Sequence, residues 1–327
     1  MNSSDFPIEL SSPVLLAPMA GITDLPYRTL VASFGAGMVV SEMVASHDMI
    51  NARPGSREKA EPGLGDVGTA VQLAGREATP MAEAARMVEG QGARVIDINM
   101  GCPAKKVTQG FSGSALMRTP DHALTLIDAV VRAVNIPVTL KTRLGWDDHF
   151  LNAPSIASRA EDAGIRMITI HGRTRCQFYK GQADWAAIAD VKDAVSIPVV
   201  ANGDIISCET AGKALALSKA DGVMIGRGAR GKPWLLAQVA HSLFGTKPPN
   251  IPTGQSFADM VRSHYGAMIQ FYGTELGLRV ARKHLGWYMD TCATPLALRK
   301  AVLTAPDVSS TEALLSDACN LTSSVAA

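Results

Sequence analysis

Val95-Ile96-Asp97-Ile98-Asn99-Met100-Gly101-Cys102-Pro103 begins as a strand and ends as something else. Its first half alternates branched apolar residues with polar ones, the pattern of a buried strand. An asparagine, a glycine and a Cys-Pro pair then follow, which a strand interior tolerates poorly. Lys105 and Lys106 come next, so an amide, a thiol and two ammonium groups crowd one strand end. Structural cysteines usually sit inside apolar runs, whereas a thiol beside cations at a strand end is a candidate for chemistry.

Seven further apolar runs flank this one: 14–19, 38–43, 69–74, 138–143, 167–171, 199–202 and 222–225. Stretches of helical length separate most of them, which is the rhythm of parallel β/α units. The units echo one another. Val134-Asn-Ile-Pro-Val-Thr-Leu-Lys141 returns as Val195-Ser-Ile-Pro-Val-Val-Ala-Asn202, and Gly92-Ala-Arg-Val-Ile-Asp-Ile98 as Gly164-Ile-Arg-Met-Ile-Thr-Ile170. Eight repeated units predict an α/β fold of the (β/α)8 TIM-barrel type, although an open sheet shares the alternation. Thr119-Pro120-Asp121 predicts a helix start with a core-facing stripe of Leu124, Ile127, Val130, Val131 and Val134. After strand eight the alternation stops at the Pro/Gly-rich stretch 245–254, and only helical pattern follows, with starts expected at Ser256 and Ser309. The division expected is a barrel over 1–244, a linker over 245–254 and a small all-helical C-terminal domain over 255–327.

Composition sets outer bounds on function. The 327 residues are 47% hydrophobic and 19% charged with net charge +1, enough for one large core and neutral on the question of nucleic acid. A nucleic-acid claim must therefore rest on where the cations lie. The N-terminus lacks the basic region of a secretory signal and no uncharged apolar run is long enough to span a bilayer, so a soluble cytoplasmic protein is expected. Five scattered cysteines (102, 176, 208, 292 and 319) show neither zinc spacing nor a disulfide framework, and no metal is expected.

In a barrel the functional groups come from the C-terminal strand ends. These carry Pro18 and Met19, Ser41 and Glu42, Gln72, Asn99 and Cys102, Lys141 and Arg143, His171 and Arg173, Asn202 and Asp204, and Gly226 and Arg227. A lone histidine or glutamine is more often a satisfied core residue, but eight polar strand ends are too many for that account. Gly226-Arg-Gly-Ala-Arg-Gly231 spells G-x-G-x-x-G, yet it follows the last strand and lacks a suitably spaced acid, so a dinucleotide fingerprint is rejected. Backbone N–H groups after strands seven and eight commonly hold a phosphate. Gln72, Lys141 and His171 would then surround what that phosphate carries, suiting the pyrimidine edge of a flavin, with a sugar phosphate as the rival ligand.

Taken together, Ala17-Pro-Met-Ala-Gly-Ile-Thr-Asp24, Asn99-Met-Gly-Cys-Pro-Ala-Lys-Lys-Val107, Lys141-Thr-Arg-Leu-Gly-Trp-Asp147, His171-Gly-Arg-Thr-Arg175, Ala201-Asn-Gly-Asp204 and Gly226-Arg-Gly-Ala229 with Pro233-Trp234 resemble the tRNA-dihydrouridine synthases, nearest the bacterial B subgroup. The resemblance runs from Val14 to Tyr288. It implies an oxidoreductase acting on a CH–CH bond, with bound FMN and NADPH as co-substrate, that reduces a tRNA uridine, expected in the D-loop, to 5,6-dihydrouridine. Carried onto this chain, it makes Ala17, Pro18, Met19, Gln72, Lys141, His171, Asn202, Gly203, Asp204, Gly226 and Arg227 the FMN contacts. Cys102 becomes the proton donor to C5 after hydride reaches C6 from reduced flavin. Asn99, Arg143 and Arg175 are expected to hold the substrate. A free thiol, with a pKa of about 8.5, is largely protonated at neutral pH and able to donate.

Extruding a base from folded RNA costs a few kcal/mol that contacts elsewhere must offset. Arg279, Arg282 and Lys283 share a helix face by spacing and are expected to bind tRNA, beside an apolar face of Leu278, Ala281, Leu285 and Tyr288. Lys105 and Lys106 are expected to face solvent or RNA, and the protein to be a monomer. Two rivals stay open: a small-molecule FMN oxidoreductase of the dihydroorotate dehydrogenase type, and a non-catalytic RNA-binding protein on the same barrel.

Overall fold

The structure, a computed structural model, describes residues 6–320 except 54, 62 and 64–68. β1 (Val14–Leu16) leads through α1 (Leu25–Ser33) to β2 (Met38–Val40) and its two-residue continuation β3 (Val44–Ala45), and then come α2 (Ser46–Ile50) and α3 (Ser56–Ala60). Next follow β4 (Thr69–Ala74), α4 (Ala78–Gly90), β5 (Val95–Asn99), α5 (Lys105–Thr108), α6 (Pro120–Val131), β6 (Val138–Arg143) and α7 (Ala153–Asp162). β7 (Met167–His171), α8 (Ala189–Asp193), β8 (Val199–Asn202), α9 (Cys208–Ser218), β9 (Gly222–Ile225) and α10 (Leu235–Phe244) complete the alternation. Four helices end the chain: α11 (Gly254–Tyr272), α12 (Thr274–Thr291), α13 (Leu296–Thr304) and α14 (Val308–Cys319).

Every strand pairing is parallel, and β1 bonds both β2 and β9 while β2 also bonds β4, so eight strands close into a ring. This is a TIM barrel. Along each strand one set of side chains meets the surrounding helices and the alternate set fills the ring. Val14, Leu16, Val223 and Ile225 pack outward on α1, α9 and α10, whereas Leu15, Met38, Ala70, Val95, Met167, Val200 and Met224 form an inner cluster with Phe6, Ile8 and Leu10. The N-terminal segment thus plugs the barrel floor with apolar side chains. Two residues further along the same strands the interior turns polar at Gln72, Asp97, Thr169 and Asn202, and all four stay buried.

One expected strand is broken. Residues 38–43 read as continuous, but the register shifts from Val39↔Thr69 to Val44↔Leu73, so one extra residue is accommodated between β2 and β3. The bulge turns Ser41 Oγ toward the Gln72 N–H (3.0 Å) and lets the Glu42 carboxylate accept from Gly21 N–H (2.7 Å), tying two loops of the mouth together. β1 and β5 also end sooner than expected, at Leu16 and Asn99.

The helix starts are corrected in the same way. Ser256 is the third residue of α11, whose cap is Thr253 in a reciprocal box with Ser256, and α14 is capped by Asp307, not Ser309. Thr119 makes no side-chain cap and Pro120 alone opens α6. Val130 and Ile127 of the α6 stripe are buried as expected, with Leu124, Val131 and Val134 at the margin. The terminal helices share a core containing Phe257, Val261, Met268, Leu285 and Leu315, onto which Leu30 of α1, Phe34 at its C-terminal cap and Trp234 also pack. Phe34, Trp234, Phe257 and Tyr288 stand edge to face in succession, 5.9–6.0 Å between centroids. Among the described residues, no helix is long and apolar enough to cross a membrane.

Candidate active site

Inward-facing polar residues of β4, β5, β6 and β8 form two hydrogen-bonded groups across the barrel top. Gln72 Nε2 donates to Asp97 Oδ2 (2.6 Å) and Gln72 Oε1 accepts from Asn99 Nδ2 (2.7 Å). Asp97 Oδ1 accepts from the Thr139 hydroxyl (2.7 Å), and Lys141 Nζ donates to Asn202 Oδ1 (3.0 Å). Asp97 lies two residues before Asn99 on the same strand, so alternation alone places it in the ring. It is the functional-site member that the sequence reading passed over. Burial raises its pKa. Burial also lowers the Lys141 pKa to about 8, opposed by the nearby Asp97 charge, so the ammonium is mostly charged at neutral pH.

Asn99 does more locally than the expected substrate contact. Its Oδ1 accepts from the Gly101 and Cys102 N–H groups (3.3 and 3.0 Å), so the residue that ends β5 also folds the loop carrying the thiol. Ser114 closes the loop from the other side, its N–H and hydroxyl both donating to Cys102 O (3.1 and 2.8 Å). A Cβ on the intervening Gly113 would lie 2.9 Å from that carbonyl, so glycine is required there. The Cys102 thiol is half-buried, and Lys105 and Lys106 point into solvent, as expected.

Arg143, expected to hold the substrate, braces two loops of the mouth. Only 1% exposed, it donates to Gly101 O (2.8 Å), Thr174 O (2.9 Å) and Phe178 O (2.8 Å), locking the loop after β5 to the loop after β7. Nε and Nη1 serve carbonyls, which also answers how a second cation is accommodated beside Lys141, while Nη2 has no hydrogen-bond partner among the described residues.

His171 is half-buried at the rim, and its Nε2 faces Arg173 Nη1 at 3.2 Å, an arrangement that leaves Nε2 the acceptor and the ring neutral. Burial, with Lys141, Arg143, Arg173 and Arg227 around it, pushes its pKa well below the usual value. Gly203 lies directly against this ring: φ is +117° and a Cβ would approach His171 Cδ2 to 2.8 Å. Asp204 is expected to touch the cofactor, yet its carboxylate pairs with Arg173 (2.5 Å) and Arg227 (3.3 Å) and accepts from Ala183 N–H (2.8 Å). Those partners hold its pKa low against the opposing effect of burial. What remains free is backbone: among the described residues the N–H groups of Gly203, Asp204, Gly226 and Arg227 have no partner. Ala17, Pro18 and Met19 border the same edge, with Ala17 Cβ and Met19 Sδ 3.5 and 3.6 Å from a Cβ built on Gly226.

Arg175 and Arg118 both lie over the Trp146 ring, 4.8 and 4.9 Å from its centroid, and Arg175 reaches Thr108 Oγ1 at 3.5 Å. The three cations of α12 do not form one open face. Arg279 is exposed, Arg282 is partly buried and donates to Ala305 O (3.3 Å), and Lys283 reaches back to the carbonyl of Gly21 in the loop after β1. Spacing on a single helix does not reveal that α13 and the barrel approach it from two sides.

A parallel barrel whose C-terminal mouth holds a thiol loop, a buried lysine and a row of free backbone donors is an α/β enzyme with its site at the ordinary place for that fold. The histamine dehydrogenase from Rhizobium sp. 4-9 shares the architecture (TM-score 0.54, 12% identity, 81% of this chain and 51% of that one). The sequence matches the dihydrouridine synthase (Dus) family over residues 15–323. It is 62% identical over 312 residues to a probable tRNA-dihydrouridine synthase of Rhodobacter capsulatus, covering 95% of this chain and 96% of that one. To tRNA-dihydrouridine synthase B of Vibrio cholerae it is 47% identical, with coverage of 89% and 91%. The chain belongs to the dihydrouridine synthase family.

Proposed function

We propose that this chain reduces a uridine in the D-loop of tRNA to 5,6-dihydrouridine in the cytoplasm, with FMN as bound cofactor and NADPH as reductant. The observation that carries the reading is the convergence of the Cys102 loop, Lys141 and the unpaired N–H groups of Gly203, Asp204, Gly226 and Arg227 on one barrel mouth.

The donor set fits a phosphorylated flavin. Four free N–H groups beside the half-exposed Arg227 suit a phosphate, and two of them belong to glycines that leave room for it. Lys141 is the cation available to an electron-rich pyrimidine edge, while neutral His171 offers a donor without a second charge. When bound, FMN supplies the hydride equivalent that NADPH delivers to the enzyme. The chain's own task is then to position the base and protonate it. Cys102 gives its thiol proton to C5 of the uracil, and its half-exposure lets solvent return that proton between turnovers. Asn99 and Arg143 act through the loop they hold, and Arg175, clasped on Trp146, is a cation on offer to the nucleotide. The barrel through residue 244 carries the chemistry, and residues 255–327 help to hold the RNA.

The test is direct: purified protein, FMN, NADPH and an unmodified tRNA transcript should yield dihydrouridine by mass spectrometry, while free uridine and orotate stay unreduced. A protein that cannot be loaded with flavin, or that reduces free pyrimidines and leaves tRNA untouched, would overturn the proposal.

A further inference from the structure

Two phenylalanines on the rim adopt a backbone conformation that bulky side chains avoid. Phe111 (φ +56°) and Phe178 (φ +57°) are two of six non-glycine residues with positive φ among the described residues. Both are exposed, Phe111 at 72% and Phe178 at 40%. Their settings match. Phe111 N–H closes a turn onto Thr108 O and Phe178 N–H closes one onto Arg175 O, each at 3.1 Å. Thr108 and Arg175 in turn touch each other at 3.5 Å, so the two turns stand side by side on the loops after β5 and β7. Glycine or asparagine fits the left-handed region without this steric cost. Inside the fold Phe178 has Arg143 on its carbonyl (2.8 Å) and Tyr179 edge to face at 4.9 Å, yet both rings keep exposed surface, so an aromatic residue at each of these turns points to a contact outside the folded monomer.

The surroundings indicate what supplies it. Residues 102–118 and 171–182 hold three Lys or Arg each and no Asp or Glu. Arg173 is buried and paired with Asp204, which leaves Lys105, Lys106, Arg118, Arg175 and Lys180 without a carboxylate partner among the described residues. Exposed rings displayed among such cations, beside a loop that bears the catalytic thiol, are the surface that single-stranded nucleic acid recognises: cations track phosphates and rings take bases. We infer that Phe111 and Phe178 are stacking platforms for the unpaired bases on either side of the uridine that enters the barrel. This rests on the tRNA reading above. Arg143 fixes the arrangement from below, since it binds Phe178 O and Gly101 O together and so keeps the second ring in register with the thiol loop. Stacking the neighbours offsets the unstacking of the target base without adding charge.

The experiment is a tRNA titration over a salt series with the wild-type holoenzyme, Phe111→Gly, Phe178→Gly and Phe111→Trp, alongside thermal denaturation. Glycine relieves the strained turn, so Phe111→Gly should keep or raise the melting temperature while weakening tRNA binding roughly 5- to 150-fold, the worth of one stacked base. A phenyl ring releases no counterions, so the slope of log affinity against log salt should stay at the wild-type value, and Phe111→Trp should bind as well as wild type or better. If both glycine variants bind like wild type, the inference is overturned, and the same follows if the slope shallows, because the loop's cations would then have been displaced. Failure of the wild-type protein itself to bind or reduce tRNA would instead overturn the proposed function.

Discussion

The barrel mouth and the seam beneath the terminal helices both bury histidine, and they use it in opposite ways. His171 sits half-buried at the mouth with its Nε2 accepting from Arg173 and four cations nearby, so ligands and solvent can change its partners. At the seam, His264 and His284 are sealed against Tyr27 of α1 at 5.7 and 5.1 Å and against each other at 5.1 Å. His264 Nδ1 shares a hydrogen bond with the Tyr288 hydroxyl at 2.9 Å, but the Nε2 atoms of both rings have no partner among the described residues. Tyr27 anchors the stack to the barrel by donating to Ala229 O (2.7 Å). A catalytic mouth needs polar groups whose contacts can be exchanged, whereas a seam needs shape, and it accepts an unsatisfied nitrogen to obtain it.

The largest effect expected from breaking this contrast lies at the mouth. Cys102→Ala should slow uridine reduction by about 10²–10⁴, the ordinary worth of a positioned proton donor. NADPH-driven flavin reduction should continue at nearly the wild-type rate, because Asn99 and Ser114 bind the backbone of residue 102 and do not need its thiol. Separate stopped-flow measurements of the two half-reactions check this. An unchanged rate of dihydrouridine formation would assign the proton to another group.

The seam should show itself in acid. Burial lowers the pKa of His264 to about 3 and that of His284 well below its usual value, the latter helped by His264 and Lys283. The unfolded chain, with histidine near 6.5, therefore binds protons that the folded chain refuses. Stability contributed by these neutral rings is present above pH 6.5 and is lost as pH falls, at about 1.4 kcal/mol per unit for each histidine. For His264 the loss continues toward pH 3. Denaturant midpoints measured between pH 7 and pH 4 check the slope, and His284→Phe sharpens it: the variant should be as stable at pH 7, since an orphaned nitrogen is removed, and should lose less on acidification. Parallel pH profiles for the two proteins would mean that other groups govern acid unfolding.

How far each region could be read from the chain follows the same contrast. The mouth was legible because strand ends repeat, and a repeated position that is polar every time resists explanation as core. Asp97 is equally legible by period two from Asn99, although it lies short of the strand end where functional groups of a barrel are expected. Arg143 is placed on the right face by its spacing from Lys141, but its bracing role is not legible, since its partners are carbonyls from loops whose paths no local pattern encodes. The bulge at residues 41–43 leaves the sequence alternating normally on both sides. Phe111 and Phe178 carry no local mark of a left-handed backbone, which glycine or asparagine would have supplied. In the seam the expected apolar face of α12 is found, with Ala281, Leu285 and Tyr288 buried and Leu278 partly so, but helix spacing says nothing about which neighbours a cation will meet.

That last point yields the smallest expected effect. Arg279, Arg282 and Lys283 have equivalent spacing on α12, yet only Arg279 is free in solvent, while the other two bind Ala305 O and Gly21 O. Removing a phosphate contact should shallow the slope of log tRNA affinity against log salt by about 0.7–0.9 and leave stability within about 0.5 kcal/mol, and Arg279→Ala is expected to do both. Lys283→Ala should instead loosen the hold of the helices on the loop after β1, seen as a lower melting temperature with the salt slope unchanged. Should all three alanine variants shallow the slope equally, Arg282 and Lys283 must exchange their carbonyls for phosphates when tRNA docks. The seam would then share the exchangeable character of the mouth, and the helices would be a part of the binding surface that rearranges instead of a fixed buttress.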